Sequence, residues 1–164
     1  MSLVAGFDLG TQGAKLVVYD PERRAIVASA SAPLDLISSD DGSREQLTSW
    51  WTGALHNCFA RIEASIRSGI AAIAVSGQQH GFVPVDTAGE ALAPVKLWCD
   101  TSSSAECVEI MDAVGGAQRC IELAGNPILA GYTASKLPWT RKHRPQAYAD
   151  MAKILLPHDY LNFV

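Results

Sequence analysis

Nowhere in the 164 residues is there an uncharged apolar run of the roughly 18 residues a membrane-spanning helix needs. The first residues also lack the basic flank and long apolar stretch of a signal peptide, so a soluble, cytoplasmic protein is expected. Basic residues never form a block longer than Arg141-Lys142, with Arg144 nearby, and 13 basic against 17 acidic residues leave a net charge of −4. A nucleic-acid or anionic-membrane partner would call for a basic patch, so the composition argues against both. The four cysteines, Cys58, Cys99, Cys107 and Cys120, include no C-x-x-C pair and no histidine at zinc-finger spacing. A metal cluster is therefore not expected, and they read as reduced thiols. Low-complexity tracts and internal repeats are absent too. With 48% apolar and 18% charged residues the chain can build a packed core, and its length suits one ordinary domain.

Turns and apolar runs then give an order of elements. Val4 to Asp8 is a short apolar run, and Ala14 to Tyr19 carries β-branched residues, so two strands are predicted around the Gly10-Thr11-Gln12-Gly13 turn. A second turn at Asp20-Pro21-Glu22-Arg23 leads to a third strand, Ala25 to Ala32, making an antiparallel meander. After a polar loop from Leu34 to Arg44, apolar residues recur every three or four positions, which predicts a helix from about Thr48 to Ile66. Ile70 to Val75 is continuously apolar, the pattern of a strand buried on both faces, central and parallel to the first. Shorter strands are predicted at Phe82 to Val85 and Val95 to Trp98, helices at 105–114, 117–124 and 134–142, and a last strand at Lys153 to Leu156. A helix that starts after Pro157 is expected to leave Leu161, Phe163 and Val164 without cover. The order βββαβ followed by helices is an α/β arrangement of the actin-like kind, which by itself fixes no function.

Two strings carry candidate chemistry. In Phe7-Asp8-Leu9-Gly10-Thr11-Gln12-Gly13 a carboxylate ends a strand just before a glycine-bounded turn. Glycines let backbone N–H groups approach a phosphate, the Thr11 hydroxyl adds a donor, and Asp8 is a hard oxygen ligand for Mg²⁺. On this short string alone a plain tight hairpin, with Asp8 bonding the turn, is the stronger reading. In Ser76-Gly77-Gln78-Gln79-His80-Gly81 two amides and an imidazole leave the carboxyl end of a strand, where open α/β sheets bind ligands. Amides both donate and accept, as sugar hydroxyls require, although His80 alone would read as a structural histidine. Asp100 ends the string Lys96-Leu97-Trp98-Cys99-Asp100 and could equally cap the following helix, while Trp98 reads as a core residue.

Taken together and in order, these strings resemble the FGGY family of carbohydrate kinases, and within it the xylulokinases. The resemblance rests on the Asp8 to Gly13 loop, on Gly77-Gln78-Gln79-His80-Gly81, on Trp98-Cys99-Asp100 and on Leu155-Leu156-Pro157-His158-Asp159-Tyr160-Leu161. Gly131-Tyr132-Thr133-Ala134-Ser135-Lys136-Leu137-Pro138-Trp139 is similar to the family's first signature, followed by Thr140 where an aliphatic residue is usual. Glu45-Gln46 ahead of Trp50-Trp51 also looks like the family, with Leu47-Thr48 in place of its common Asp-Pro, and Ser102 stands where many relatives carry Arg. Gln79-His80 is similar to the xylulokinase pair, whereas an Arg-Glu pair would be expected of glycerol kinases.

The resemblance implies an actin-like, ribonuclease-H-like ATPase domain, a mixed sheet with helices on both faces, incomplete at its C-terminal end. Residues 1–164 would be the N-terminal sugar-kinase domain, with the nucleotide-binding domain and the general-base aspartate expected beyond Val164. It implies ATP- and Mg²⁺-dependent phosphorylation of D-xylulose to D-xylulose 5-phosphate. Asp8 would organise the metal, Gly10, Thr11, Gln12 and Gly13 would face the phosphates, and Gln79, His80 and Asp100 would contact the ketopentose. Lys15 would be structural or weakly phosphate-facing, and a homodimer is compatible with the family. The alternatives are a ribulo-, glucono- or glycerol kinase of the same family, or a non-catalytic sugar-binding module. A chaperone-type ATPase would fit Asp8 to Gly13 but not Gln79-His80 or Lys136 to Trp139.

Overall fold

Alternating burial along Leu3–Leu9 (β1) and Gly13–Asp20 (β2) shows why these segments are strands: Leu3, Ala5, Phe7, Leu9, Ala14, Leu16 and Val18 all point to one buried face. The computed structural model describes residues 2–164. β2 turns back antiparallel on β1, and Ala25–Pro33 (β3) on β2, so the predicted meander is present. The stretch expected to be a polar loop holds two short strands, Ile37–Ser38 (β4) and Arg44–Gln46 (β5). The helix predicted to Ile66 is divided into Thr48–Ala60 (α1) and Ala64–Arg67 (α2), although Ile62 between them is still buried. Then come Ile70–Gly77 (β6), Val83–Val85 (β7) and Val95–Lys96 (β8). The helices Ser104–Ala113 (α3), Ala117–Ala124 (α4) and Thr133–His143 (α5) lie within a residue of expectation. Pro145 does not simply end α5; it occupies the start of a further helix, Pro145–Asp150 (α6), where its missing N–H costs nothing. Lys153–Leu155 (β9) and Pro157–Phe163 (α7) complete the chain.

The contacts divide the chain into two units. The first takes residues up to Leu36, Leu47–Gln78 and Pro157–Val164. Its sheet runs β3-β2-β1-β6, with β6 parallel to β1 as predicted. α1 and α7 cover the buried face, where Trp51 meets Tyr160 edge to face at 6.4 Å. The opposite face carries Val4, Asp8, Lys15 and Tyr19, all exposed. β6 departs from the expectation of a central strand buried on both sides. It stands at the sheet edge, and Ala71, Ala72, Ile73 and Ala74 are exposed. An unbroken apolar run reports that a strand is uncharged, not that it has neighbours on both sides. At the other end Leu161 is buried against expectation, while Phe163 and Val164 are exposed.

The second unit takes Ile37–Gln46 and Gln79–Leu156. It has a three-stranded sheet, β4-β5-β8, and a β7-β9 pair, with α3 against both α4 and α5, and its core includes Phe82, Val83, Val85, Val95 and Leu97. Among the described residues no helix is long and apolar enough to cross a membrane.

Trp51 is fully buried, so Trp51→Ala should destabilise the first unit by about 3–5 kcal/mol, through lost transfer energy and the cavity left behind. Urea unfolding followed by circular dichroism measures this, and a loss under about 1 kcal/mol would contradict the packing described.

Candidate functional site

The predicted phosphate-side residues all lie in the first unit. β1 ends beside the Gly10 to Gly13 turn, which closes through Gly10 N–H donating to the Gly13 carbonyl at 3.0 Å. Side chains cannot be added here. A Cβ on Gly10 would meet the Gly13 oxygen at 2.9 Å, and one on Gly13 would meet the Ala32 oxygen at 2.9 Å. The turn is therefore tight because neighbouring backbone passes close to both of its glycines. The Gln78 N–H donates to the Leu9 carbonyl at 2.8 Å, and the Thr11 hydroxyl to the Gln78 side-chain oxygen at 3.1 Å, so the residue that follows β6 braces the loop.

Asp8 is exposed on the open face of the sheet, where its carboxylate accepts from the Ser76 hydroxyl at 2.6 Å and Lys15 stands opposite across the ladder. A shallow cavity of about 320 Å³ lies over this face, lined by Gly6, Asp8, Lys15, Val17, Ala74 and Ser76 among others. A larger cavity, about 510 Å³, is near Leu3, Asp20 and Arg23 at the other end of β1 and touches none of the predicted residues. Among the described residues no group of three or more His, Cys, Asp or Glu could hold a metal. One exposed carboxylate beside hydroxyls cannot cage an ion, but it suits Mg²⁺, which keeps several waters and binds through one or two carboxylates plus phosphate oxygens.

Gln79, His80 and Asp100 belong to the second unit. Gln79 and His80 are exposed, and the His80 backbone has φ = +60°, the left-handed region that few non-glycine residues adopt. The His80 imidazole stacks on Tyr132, with ring centroids 4.7 Å apart and planes at 26°. Tyr132 was not singled out from the sequence for this role. It lies inside the Gly131 to Trp139 string, but nothing in linear spacing pairs it with residue 80.

Asp100 differs from the expectation of a sugar contact. It is completely buried, and both carboxylate oxygens are engaged: Oδ2 by the Arg44 N–H (2.8 Å) and Lys96 Nζ (3.1 Å), Oδ1 by the Ser102 N–H (3.1 Å) and hydroxyl (2.7 Å). A buried carboxylate has to be paired, and this one is paired inside its own unit, which makes it a structural group. Trp98 also departs from expectation, being 52% exposed where a core position was predicted.

Asp100 is one member of a buried charge network that sequence reasoning missed. Lys96, only 1% exposed, also reaches Glu45 at 3.3 Å and the Ser102 hydroxyl at 2.7 Å, and its ammonium sits 3.6 Å from the centre of the Trp139 ring. Arg144 grips both oxygens of Glu45 at 2.7 and 2.8 Å. Lys136 is fully buried, and burial pushes its ammonium down to about 8 against the opposing pull of Asp100. The one available signal was the charge of Lys96 inside the apolar run from Val95 to Trp98.

Residues 3–164 match the FGGY family of carbohydrate kinases, N-terminal domain. The chain is 37% identical to a xylulose kinase of Haemophilus influenzae, over 96% of this chain and 34% of the relative. It is 36% identical to a xylulose kinase of Streptomyces coelicolor, over 97% and 32%. A crystal structure of a xyloylose kinase from Brucella ovis superposes with a TM-score of 0.89 at 32% identity, covering 98% of this chain and 34% of that one. The chain thus spans about a third of the length of the relatives it matches.

Lys96→Met leaves the buried Asp100 without a bonded cation and Glu45 with Arg144 alone, and Asp100→Asn leaves Lys96 with Glu45 as its remaining counter-charge. Each should cost about 3–5 kcal/mol, and the double variant distinctly less than the sum. A double-mutant cycle from denaturant unfolding measures the coupling, and additive costs would show that the pair does not act as a unit.

Proposed function

Because the chain belongs to the FGGY family of carbohydrate kinases, we propose that the whole protein is a cytoplasmic enzyme that transfers the γ-phosphoryl group of ATP to the terminal hydroxyl of D-xylulose, giving D-xylulose 5-phosphate. The observation that carries the sugar side is His80. Its exposed ring is backed by Tyr132, and its left-handed backbone costs a non-glycine residue on the order of 1 kcal/mol, strain that folds tend to keep where a side chain must point one way. Gln79 and His80 would hydrogen-bond the sugar hydroxyls, with the amide able to donate and accept at once. The xylulose kinases among the relatives support a ketopentose.

Bound Mg²⁺-ATP would supply the transferable group and much of the neutralisation of its charge. Asp8 would hold the metal directly or through water, the Gly10 to Gly13 backbone would present N–H groups to phosphate oxygens, and the Thr11 hydroxyl would add a donor. These residues position and neutralise, which is most of what phosphoryl transfer asks of a protein. The acceptor of the hydroxyl proton, an aspartate, is proposed to lie outside these 164 residues.

Coupled ADP release from the full-length gene product, with D-xylulose, D-ribulose, L-ribulose, gluconate and glycerol, should show selective turnover of D-xylulose and none by the 164-residue chain alone. A different preferred sugar overturns the substrate but keeps the family, and turnover by the 164-residue chain overturns the placing of the proton acceptor. Asp8→Asn should lower kcat by about 100-fold or more while the sugar dissociation constant, from calorimetry without nucleotide, stays within about twofold. Equal loss of sugar affinity would place Asp8 on the wrong side of the reaction.

A further inference from the structure

Lys136 is a fully buried cation whose nearest oxygens are three successive main-chain carbonyls, Ala130 at 3.2 Å, Gly131 at 2.8 Å and Tyr132 at 2.9 Å. An ammonium has three N–H donors, so this arrangement saturates it. The same short segment is held from other sides. The Ser103 hydroxyl lies 3.4 Å from the Ala130 carbonyl and 2.9 Å from the Ser135 hydroxyl, and a Cβ on Gly131 would come within 2.5 Å of the Trp98 carbonyl oxygen. The segment ends at Tyr132, whose ring lies against the His80 imidazole. Three charge-assisted bonds satisfy the buried ammonium and pin the main chain of residues 130–132, the last of which carries the ring that backs the strained histidine.

We propose that Lys136 is a positioning residue for sugar recognition, acting through the carbonyls of residues 130–132 to hold Tyr132 against His80 and so to fix the direction in which the imidazole meets a sugar hydroxyl. This rests on the reading of His80 as a sugar contact. The grip depends on pH. The charged and titratable groups facing Lys136 are Lys96 on β8, Cys99 and Asp100 on the segment after it, and Cys107 on α3. Burial raises the Cys99 thiol above the usual thiol range. With its ammonium pushed down to about 8, Lys136 loses its proton at mildly alkaline pH, and a neutral amine has two N–H groups for three carbonyls.

The sign separates positioning from mere stabilisation. The unfolded chain holds this proton more tightly than the folded one, so between pH 8 and 10.5 the group's contribution to folding stability rises with pH. A purely structural Lys136 therefore predicts a protein no worse in that range, whereas the positioning role predicts weaker sugar recognition as the proton leaves.

The test uses the full-length gene product with D-xylulose as probe. Its sugar KM should rise about three- to tenfold from pH 7.5 to 9 with the ATP KM nearly constant, and Lys136→Arg, which stays charged, should flatten that rise. Tyr132→Ala should raise the sugar KM about tenfold at pH 7.5, and Tyr132→Phe, which keeps the ring, should recover most of the loss. Should Lys136→Arg fail to fold, the tyrosine pair alone decides. A Tyr132→Ala enzyme with unaltered sugar KM, or one whose sugar and ATP KM rise together, overturns the proposal. His80→Ala separates the two levels: an unchanged sugar KM overturns the reading of His80 itself, while a raised KM beside a silent Tyr132→Ala overturns only the role given to Lys136 and Tyr132.

Discussion

One ammonium group, that of Lys96, governs the second unit. Removing a cation from water costs several kcal/mol unless oxygens and polarisable surface replace the solvent. Here the replacements come from separate stretches of chain: Glu45 on β5, Asp100 and Ser102 on the segment after β8, and the Trp139 ring on α5. None of these can leave without exposing a buried charge. This explains why Ile37–Gln46, far from the rest of the unit in sequence, belongs to it. Glu45 binds Lys96 and Arg144 together, which draws β5 towards the end of α5. Such a network contributes less net stability than its contacts suggest, because each buried charge first has to be taken out of water.

Much of the first unit was legible because its rules are local. Period-two alternation marked β1 and β2, turn residues separated them, and the direction of β6 followed from the helical connection. What escaped depends on distance. The apolar run Ile70–Gly77 said that β6 lacks charge but not how many neighbours it has, so its edge position was missed. On the site side, the string from Gln78 to Gly81 was visible as a polar cluster at a strand end, and Asp8 as a carboxylate before a glycine turn. Asp100 was misread because a carboxylate at the end of a strand looks the same whether it faces a ligand or a buried lysine four residues back. Tyr132 and Lys136 were legible only as parts of a signature string, since their tasks are defined by partners at position 80 and at the main chain of residues 130–132.

The two groups of candidate residues are built differently. The turn proposed to face phosphate has glycines at both ends, required by close passage of neighbouring backbone. A main-chain cradle does not depend on side-chain identity, which suits a group common to all nucleotides. The residues proposed to meet the sugar, Gln79 and His80, act through side chains, with the Tyr132 ring against His80. Changes of substrate within such a scaffold are most economically made on that second side, where replacing one side chain alters the hydrogen-bonding pattern without disturbing the turn.

The exposed edge at β6 bears on how the protein behaves in a crowded solution. From Ile70 to Gly77 there is no charge, no proline and no bulky polar side chain to discourage another strand from adding to it. Such a strand acts as a template: a neighbouring chain can extend the ladder, and identical copies can then stack on one another. Whatever covers that edge therefore shields eight uncharged residues from such an addition.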